Sequence, residues 1–366
     1  MRASTLPQPI ERILIIHQGA LGDFICALPA LECLRRAFPH AHMTLMGYPR
    51  ILELVENRYY ADTVVSVDRA EFARLYQTSR DYPTFLRKFF GTFQLIGVFG
   101  LARHPFVDNV QALSQATVVM VSPFPFQGEA VHTVDHLLSL PRSLGLAVHR
   151  NFPRLYPSQS DREAAEEVLA NDGIDPDGLL IVAHPGSGSP AKNWSVANFL
   201  YLAKRLFTAY MAQVLFLVGP GEEEIKKDLR RPLGSRLPVI FDGFPLPQVA
   251  AILERCQVFV GNDSGMTHLA AAVGVPVVAI FGPSDPIRWV PKGSEVRLVR
   301  KAVSCSPCER EAMSRCDSRH CLSEISSDDV FRAVAQCIER WREGSIDVSV
   351  QPRTGCEELG VMGASL

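Results

Sequence analysis

Residues 258–286 carry the strongest chemical signal in the chain. Their order of apolar, turn-forming and helix-forming residues predicts a buried strand, a turn, a compact helix over residues 266–273 and a second buried strand. The turn consists of Asn262, Asp263, Ser264 and Gly265. A helix N-terminus presents free backbone N–H groups and the positive end of its dipole, so this turn is suited to a phosphate or diphosphate. His268 lies one turn into the helix and either faces the same anion or simply packs within the protein.

Asp23 ends a second loop, Gly-Ala-Leu-Gly-Asp over residues 19–23, which follows the first predicted strand. The loop lacks the three-glycine fingerprint of dinucleotide folds, and a carboxylate at this place would repel a pyrophosphate. An ionised carboxylate that faces a cleft can instead accept a proton from a substrate hydroxyl. The alternative is structural, with Asp23 capping the N-terminus of the helix that follows.

Residues 184–194, HPGSGSPAKNW, form a loop of small residues between a predicted strand and a helix. Its glycines permit close backbone approach to a ligand, Ser187 can donate a hydrogen bond, and Lys192 is a point charge suited to phosphate. The lysine spacing differs from that of a P-loop, and no Ser or Thr follows the lysine. The alternative is a flexible loop with a solvated lysine.

Glu222 follows a Gly-Pro-Gly turn after the predicted strand 214–218. A carboxylate at this sheet edge can bind ribose or sugar hydroxyls, as acidic residues do in other nucleotide-binding folds. The alternative is an acidic first helical turn that complements the helix dipole.

Four late cysteines have the spacing C-x2-C-x7-C-x4-C, and they are Cys305, Cys308, Cys316 and Cys321. Four cysteines in a short segment suggest a structural zinc site, although this spacing is not a standard one. The alternative is a set of reduced thiols in an irregular loop.

Residues 85–93 mix aromatic and basic side chains. Such a mixture can touch a membrane surface. However, Phe85, Phe89 and Phe93 recur every four residues, which favours a helix with this phenylalanine face in the core.

The composition narrows the class of protein. The 366 residues include 37 Lys and Arg against 39 Asp and Glu, a net charge of −2 that argues against a general nucleic-acid binder. No secretory signal is recognisable, and no apolar run reaches the roughly 20 residues of a membrane span. The nine cysteines are scattered or in the late cluster, which indicates a reducing, cytoplasmic setting.

Strands alternate with helices along the chain, which predicts parallel α/β sheets. We expect an N-terminal domain over residues 1–155, a C-terminal domain over 156–343 and a mobile tail over 344–366, with the linker within 150–161. The predicted strands are 12–17, 43–46, 64–67, 93–99 and 118–121 in the first half, and 179–183, 214–218, 239–240, 258–260 and 277–281 in the second. The main predicted helices are 24–38, 162–171, 194–209, 222–229, 247–254 and 266–273.

In their order along the chain, these motifs resemble glycosyltransferase family 9, the ADP-heptose:lipopolysaccharide heptosyltransferases. The resemblance covers residues 13–330. Its strongest segments are ILIIHQGALGDFICALPALECLRRAFPHA and VGNDSGMTHLAAAVGVPVVAIFGPSDP, supported by HPGSGSPAKNWSVANF and the cysteine segment.

The resemblance implies a GT-B fold, with two Rossmann-like domains that face each other across a cleft. It further implies an inverting transfer that needs neither cofactor nor metal. Asp23 matches the catalytic base of the family. Gly188 falls at a position where members of the family can have a second residue with a side-chain hydroxyl. The implied donor-binding residues are Ser187, Lys192, Glu222, Asp263, Ser264, Gly265 and His268.

The expected partners are a nucleoside-diphosphate sugar as donor and a saccharide or lipid-linked saccharide as acceptor, with peripheral contact at the inner face of the cytoplasmic membrane and no nucleic acid. Two alternatives stay open at this point: a GT-B-like nucleotide-sugar epimerase and a non-catalytic nucleotide-sugar-binding homologue. A third, an NAD-dependent oxidoreductase, is disfavoured because the chain has no Gly-x-Gly-x-x-Gly loop after its first strand.

Overall fold

Two parallel sheets organise the protein in a computed structural model, which describes residues 9–78, 80–101, 105–126, 128–230 and 239–344. The first sheet contains β1 (Arg12–His17), β2 (His42–Gly47), β3 (Thr63–Ser66), β4 (Leu95–Phe99) and β5 (Thr117–Val121). The second contains β6 (Leu180–His184), β7 (Gln213–Val218), β8 (Val239–Asp242), β9 (Val258–Asn262), β10 (Val277–Ile280) and β11 (Val296–Val299). The predicted tail beyond residue 344 lies outside the described residues.

Helices connect successive strands and cover the sheets. In the first half they are α1 (Leu21–Ala37), α2 (Pro49–Leu52), α3 (Thr84–Phe90), α4 (Pro105–Leu113), α5 (Thr133–Leu137) and α6 (Ser139–Ser143), with a 3₁₀ helix at Ala70–Tyr76. In the second they are α7 (Gln159–Asn171), α8 (Val196–Tyr210), α9 (Glu223–Leu229), α10 (Leu246–Arg255), α11 (Gly265–Val273), α12 (Pro286–Trp289), α13 (Arg310–Ser314), α14 (His320–Ser323) and α15 (Ser327–Arg342), with a 3₁₀ helix at Pro190–Lys192. No helix among the described residues is long and apolar enough to cross a membrane.

The strand orders determine where a ligand can bind. They are β3-β2-β1-β4-β5 in the first sheet and β11-β10-β9-β6-β7-β8 in the second. In the second sheet the chain leaves β6 towards β7 and leaves β9 towards β10, on opposite sides of the β6–β9 pair. Open α/β sheets bind ligands at the carboxyl ends of strands around such a switch point. The loops that follow β6 and β9 contain Lys192 and Asp263.

Burial explains why these strands are central. β1, β4, β6 and β9 are short runs of apolar residues that are almost entirely inaccessible, as parallel strands covered on both faces must be. One buried apolar cluster includes residues of α1 in the first half and of α10 and α11 in the second. The two halves therefore share apolar packing, and α1 lies directly against α11.

The structure differs from the sequence predictions at several places. β11 was not predicted, because its residues are half-buried and follow a Pro- and Gly-containing stretch. Helix α1 begins three residues earlier than expected, which places Asp23 inside it. The fully buried residues of α3 are Leu86 and Phe90. Of the predicted phenylalanine face, Phe93 is buried and Phe89 packs against the core, whereas Phe85 is 39 % exposed, so the prediction was wrong for Phe85 alone.

Candidate active site

The turn before α11 has the predicted architecture. Ser264 is the N-cap residue, and its hydroxyl oxygen accepts a hydrogen bond from the backbone N–H of Thr267 at 3.4 Å. The helix ends at Gly274, whose φ of 96° is left-handed and favours glycine. Asp263 and Ser264 are both buried, so the turn lies inside a recess and not on an open surface.

Lys192 and Asp263, predicted from two separate motifs, form an ion pair. The Nζ of Lys192 lies 2.9 Å from Oδ2 of Asp263, and the lysine and aspartate side chains are 25 % and 8 % exposed. The lysine comes from the short 3₁₀ helix that Ser189 caps through the backbone N–H of Ala191. An ammonium group is thereby held at the N-terminal turn of α11, where it adds to the positive end of the helix.

Asn262, which the sequence suggested only as a turn residue, fixes the Lys192 loop. Its Nδ2 donates to the carbonyl of Pro185 at 2.7 Å, and its Oδ1 accepts the backbone N–H of Trp194 at 3.0 Å. The side chain is fully buried, so these bonds are sheltered from water. One amide therefore ties both ends of the loop to the end of β9.

Asp23 is the third residue of α1. Ala20 is the N-cap residue, so the expectation that Asp23 itself might be the cap was wrong; its Oδ2 instead accepts the backbone N–H of Ala20 at 3.1 Å. Burial raises the pKa of Asp23, Lys192 nearby lowers it and Asp263 nearby raises it. The predicted base and the predicted donor residues thus act on each other across the two halves.

The N-terminal ends of α1 and α11 meet directly. A Cβ placed on Gly265 would lie 2.9 Å from the Cβ of Leu21 and 3.0 Å from the backbone N of Gly22. Two positive helix ends therefore face the same point. The contact leaves no room for a ligand between the two ends, but negative charge bound beside them would be stabilised, which makes this neighbourhood a candidate anion site with carboxylates at its edge.

His268 is buried one turn further along α11, against α1. Its Nδ1 lies 3.8 Å from the Sγ of Cys26, and burial lowers the pKa of His268 to about 4. The imidazole is therefore neutral at pH 7. A role for His268 in binding the donor stays a prediction, and a neutral ring would serve it as a hydrogen-bonding group and not as a cation.

Glu222 and Ser187 both hold the loops that surround the site. Oε2 of Glu222 accepts the backbone N–H of Gly219 at 2.7 Å, and Oε1 lies 3.6 Å from Nε2 of His184. The Oγ of Ser187 lies 2.6 Å from Oδ1 of Asn193 and can donate to it. Both side chains thus have partners within the protein. A donor contact by either residue stays a prediction.

A cavity of about 240 Å³ lies between the halves beside the α11 turn. Its wall is largely apolar and includes Leu21 and Ile51 from the first half and Phe241, Phe244 and Met266 from the second. Because Leu21 and Met266 flank the contact between the two helix ends, the cavity borders the anion site. No local sequence pattern indicated this cavity, since the five residues named come from four separate segments.

Residues 112–316, more than half of the chain, match the sequence model of "Glycosyltransferase family 9 (heptosyltransferase)". The chain belongs to this family. It is a glycosyltransferase, as the motifs predicted.

Similar proteins agree with this assignment. Lipopolysaccharide heptosyltransferase 2 of Escherichia coli K12 is 24 % identical over 318 residues, covering 79 % of this chain and 88 % of the relative. The crystal structure of a family 9 glycosyl transferase from Veillonella parvula aligns with a TM-score of 0.75 at 22 % identity, covering 90 % of this chain and 98 % of that one. The structure of E. coli heptosyltransferase WaaC with ADP aligns with a TM-score of 0.64 at 20 % identity, covering 89 % and 99 %. The GT-B fold predicted from the motifs is confirmed.

The cysteine segment of this glycosyltransferase contacts the loops that follow β6 and β10. The backbone N–H of Cys308 donates to the carbonyl of Pro283 at 2.8 Å, and Nη1 of Arg319 donates to the carbonyl of Pro190 in the Lys192 loop at 3.0 Å. Cys305, Cys308, Cys316 and Cys321 are all free thiols. Within the described residues, no group of three or more His, Cys, Asp or Glu side chains is arranged to hold a metal ion.

Proposed function

We propose that this glycosyltransferase moves a heptose from an ADP-linked donor to a lipopolysaccharide-type acceptor, with inversion at the anomeric carbon and without a metal ion. The observation that carries the proposal is the meeting of α1 and α11, which brings Asp23 into the neighbourhood of Lys192 and Asp263. The choice of ADP, heptose and lipopolysaccharide rests on the relatives, which are named as lipopolysaccharide heptosyltransferases and include a structure with ADP.

The donor diphosphate would lie at the N-terminus of α11. The backbone N–H groups after Ser264 and the ammonium of Lys192 would neutralise its charge. Lys192 now contacts the carboxylate of Asp263, so the diphosphate would share or replace that partner. The neighbouring apolar cavity would take the nucleoside base, since its position beside Met266 and Leu21 is within reach of the same helix end.

Asp23 would act as the general base. As an acceptor hydroxyl attacks the anomeric carbon, its proton passes to the carboxylate, and the nucleoside diphosphate leaves from the opposite face. A single displacement of this kind inverts the anomeric configuration. Burial raises the pKa of Asp23, which makes its carboxylate a stronger base than that of an exposed aspartate.

The leaving group gains negative charge as its bond to the sugar breaks. In the proposed pose a helix N-terminus and a lysine would face that charge, so they would stabilise the transition state without a divalent cation. This supports metal independence on the basis of groups that are present.

The test compares Asp23→Asn with the matched variant Asp329→Asn. Asp329 is likewise the third residue of its helix, α15, and its Oδ2 accepts the backbone N–H of Ser326 at 3.0 Å. It differs from Asp23 in location, because α15 is the C-terminal helix and does not take part in the contact between α1 and α11. We expect Asp23→Asn to lower kcat about 10²–10⁴-fold with ADP affinity nearly unchanged, and Asp329→Asn to retain turnover. The assay uses ADP-heptose, a soluble heptose-accepting core saccharide and excess EDTA, and NMR of the product reports the anomeric configuration.

Near wild-type turnover of Asp23→Asn would remove Asp23 as the base. Retention of configuration in the product would contradict a single displacement. Loss of activity in EDTA, with the protein still folded and Mg²⁺ or Mn²⁺ restoring turnover, would contradict metal independence. If ADP-heptose gives no product but another nucleotide sugar does, the donor assignment is wrong.

A further inference from the structure

His17 is a buried polar residue at the end of β1, and the proposed function gives it no role. The strand alternates between two apolar faces, since Ile13 and Ile15 lie in one buried cluster and Leu14 and Ile16 in another. By this alternation His17 lies on the same face as Ile13 and Ile15, and it is only 5 % exposed. An imidazole at an apolar position costs free energy unless its nitrogens are hydrogen-bonded. The hydrogen-bond partners of the ring therefore indicate its role.

The ring of His17 makes hydrogen bonds with the loop that leads to Asp23. Its Nδ1 accepts the backbone N–H of Gly19 at 3.2 Å. A hydrogen bond to the backbone of Asp23 also acts on this ring, and it opposes the lowering of the pKa of His17 by burial. Because Nδ1 is an acceptor, the neutral ring has its proton on Nε2. Both partners belong to residues 19–23, which connect β1 to the proposed base.

Gly19 is closely enclosed between His17 and Asp23. A Cβ on Gly19 would lie 2.7 Å from Cε1 of His17, 2.8 Å from Cβ of Asp23 and 3.1 Å from Oδ2 of the same aspartate. That Oδ2 accepts the backbone N–H of Ala20 at 3.1 Å. Two successive N–H groups of the loop are thus held from opposite ends, one by the imidazole and one by the carboxylate. A shift of the ring therefore reaches the carboxylate through a single glycine.

Two phenyl rings fix the orientation of the imidazole. The ring of Phe24, the residue after Asp23, lies edge-to-face with that of His17 at a centroid distance of 5.4 Å, and the ring of Phe99 does so at 5.7 Å. His17 and Phe99 are also register partners between β1 and β4. The imidazole is therefore held between the sheet and the first turn of α1, so that it supports the loop in one position.

We propose that His17 is a positioning residue for the transfer reaction, whose imidazole holds residues 19–23 so that the carboxylate of Asp23 faces the acceptor hydroxyl. The side chain of His17 is buried, so it acts through Asp23 and not on a substrate. The inference rests on the proposed function, in which Asp23 is the base. It predicts an effect on turnover and not on donor binding, because the loop belongs to the first half and the donor would bind to the second.

The test is a double-mutant cycle of His17→Leu and Asp23→Asn, with His17→Asn as the conservative variant. Leu has a volume similar to that of His but no acceptor, whereas the Oδ1 of Asn lies near the position of Nδ1 and can accept the N–H of Gly19. Ile13→Val is the control for a general loss of core packing, because Ile13 is fully buried near the other end of β1. For each variant we measure kcat, the KM for ADP-heptose, the affinity for ADP by calorimetry and the thermal unfolding midpoint.

We expect His17→Leu to lower kcat about tenfold to 10²-fold, as a misplacement of about 1 Å can, with the affinity for ADP unchanged. His17→Asn should recover most of that loss. Ile13→Val should keep the wild-type kcat while its unfolding midpoint falls. In the Asp23→Asn background His17→Leu should lower kcat no further, because no base is left to position.

Wild-type kcat in a folded His17→Leu variant would overturn the inference. Equal losses of kcat in His17→Leu and His17→Asn would overturn it too, as would losses that multiply in the double variant with Asp23→Asn. If His17→Leu does not fold, Gly19→Ala tests the same contact, because its Cβ would push the ring and the carboxylate apart. Gly19→Ala should lower kcat in the wild-type background but not in the Asp23→Asn background, and wild-type turnover of this variant would contradict the inference.

Failure of the proposed function has a different signature. Asp23→Asn would then itself keep near wild-type turnover, whatever the effect of His17→Leu. If instead Asp23→Asn loses turnover and His17→Leu does not, the base assignment stands and only the role of His17 is wrong.

Discussion

Gly265→Ala is the substitution that most directly tests the contact between α1 and α11. The added Cβ would lie 2.9 Å from the Cβ of Leu21 and 3.0 Å from the backbone N of Gly22. Carbon atoms in contact normally lie about 3.5–4.0 Å apart. The two helix ends must therefore separate by roughly 0.6–1 Å, because a backbone atom cannot rotate away as a flexible side chain can.

That displacement falls between the proposed base on α1 and the proposed diphosphate turn on α11. A misplacement of about 1 Å can cost about 10²-fold in rate, and overpacking costs about 1–3 kcal/mol of stability. We therefore expect Gly265→Ala to lower kcat by up to about 10²-fold while the protein still folds. Steady-state kinetics with the nucleotide sugar and a thermal unfolding scan measure the two effects separately.

Gly188→Ala is the matched control. A Cβ at Gly188 meets no atom within 4 Å, although the residue lies in the neighbouring Lys192 loop. It should leave both kcat and the unfolding temperature close to the wild type. If Gly265→Ala turned over like Gly188→Ala, the contact between the helix ends would not set the catalytic geometry.

Two further predictions concern charge. Lys192→Met should weaken ADP binding about tenfold or more, since a hydrogen bond to a charged group contributes about 1.5–3 kcal/mol. Titration calorimetry measures the loss of affinity. If the affinity for ADP were unchanged, Lys192 would serve only as the ion-pair partner of Asp263. The pKa values of His17 and His268 are lowered to about 4 by burial, so between pH 6.5 and about 4 the unfolded chain binds protons that the folded protein does not. The free energy of unfolding should therefore fall by about 2 kcal/mol per histidine between pH 7 and pH 5. His268→Gln should reduce the accompanying fall in the thermal unfolding midpoint. A midpoint that does not change with pH in this range would contradict the burial argument.

Local patterns predicted most of the fold. α11 could be located from the turn residues before it and from Gly274 after it, because capping and left-handed conformation are properties of a few adjacent residues. The buried face of α3 could not be predicted in this way. Phe85 and Phe89 have helical spacing, but which face is buried depends on contacts of Leu86 and Phe90 with distant parts of the chain.

The candidate site was predicted only where a residue type itself indicates chemistry. Asp23, Lys192 and Asp263 carry charges beside glycine-containing turns, and the structure brings all three together. Asn262 was missed as a positioning residue because its partners, Pro185 and Trp194, are backbone groups about 70 residues away, at separations of 77 and 68. Backbone partners leave no pattern in the sequence.

The segment that joins the two halves is attached to α11, the helix that follows the proposed donor turn. The backbone N–H of Leu155 donates to the carbonyl of Ala272, and the guanidinium of Arg154 packs against Gly274, at the end of α11. Tyr60 of the first half donates its hydroxyl proton to the carbonyl of Arg154 at 2.7 Å. α11 is thus held by the first half at its start and by the connecting segment at its end. The connecting segment is therefore not a free tether, and any opening of the cleft would have to break these contacts or turn one half about α11.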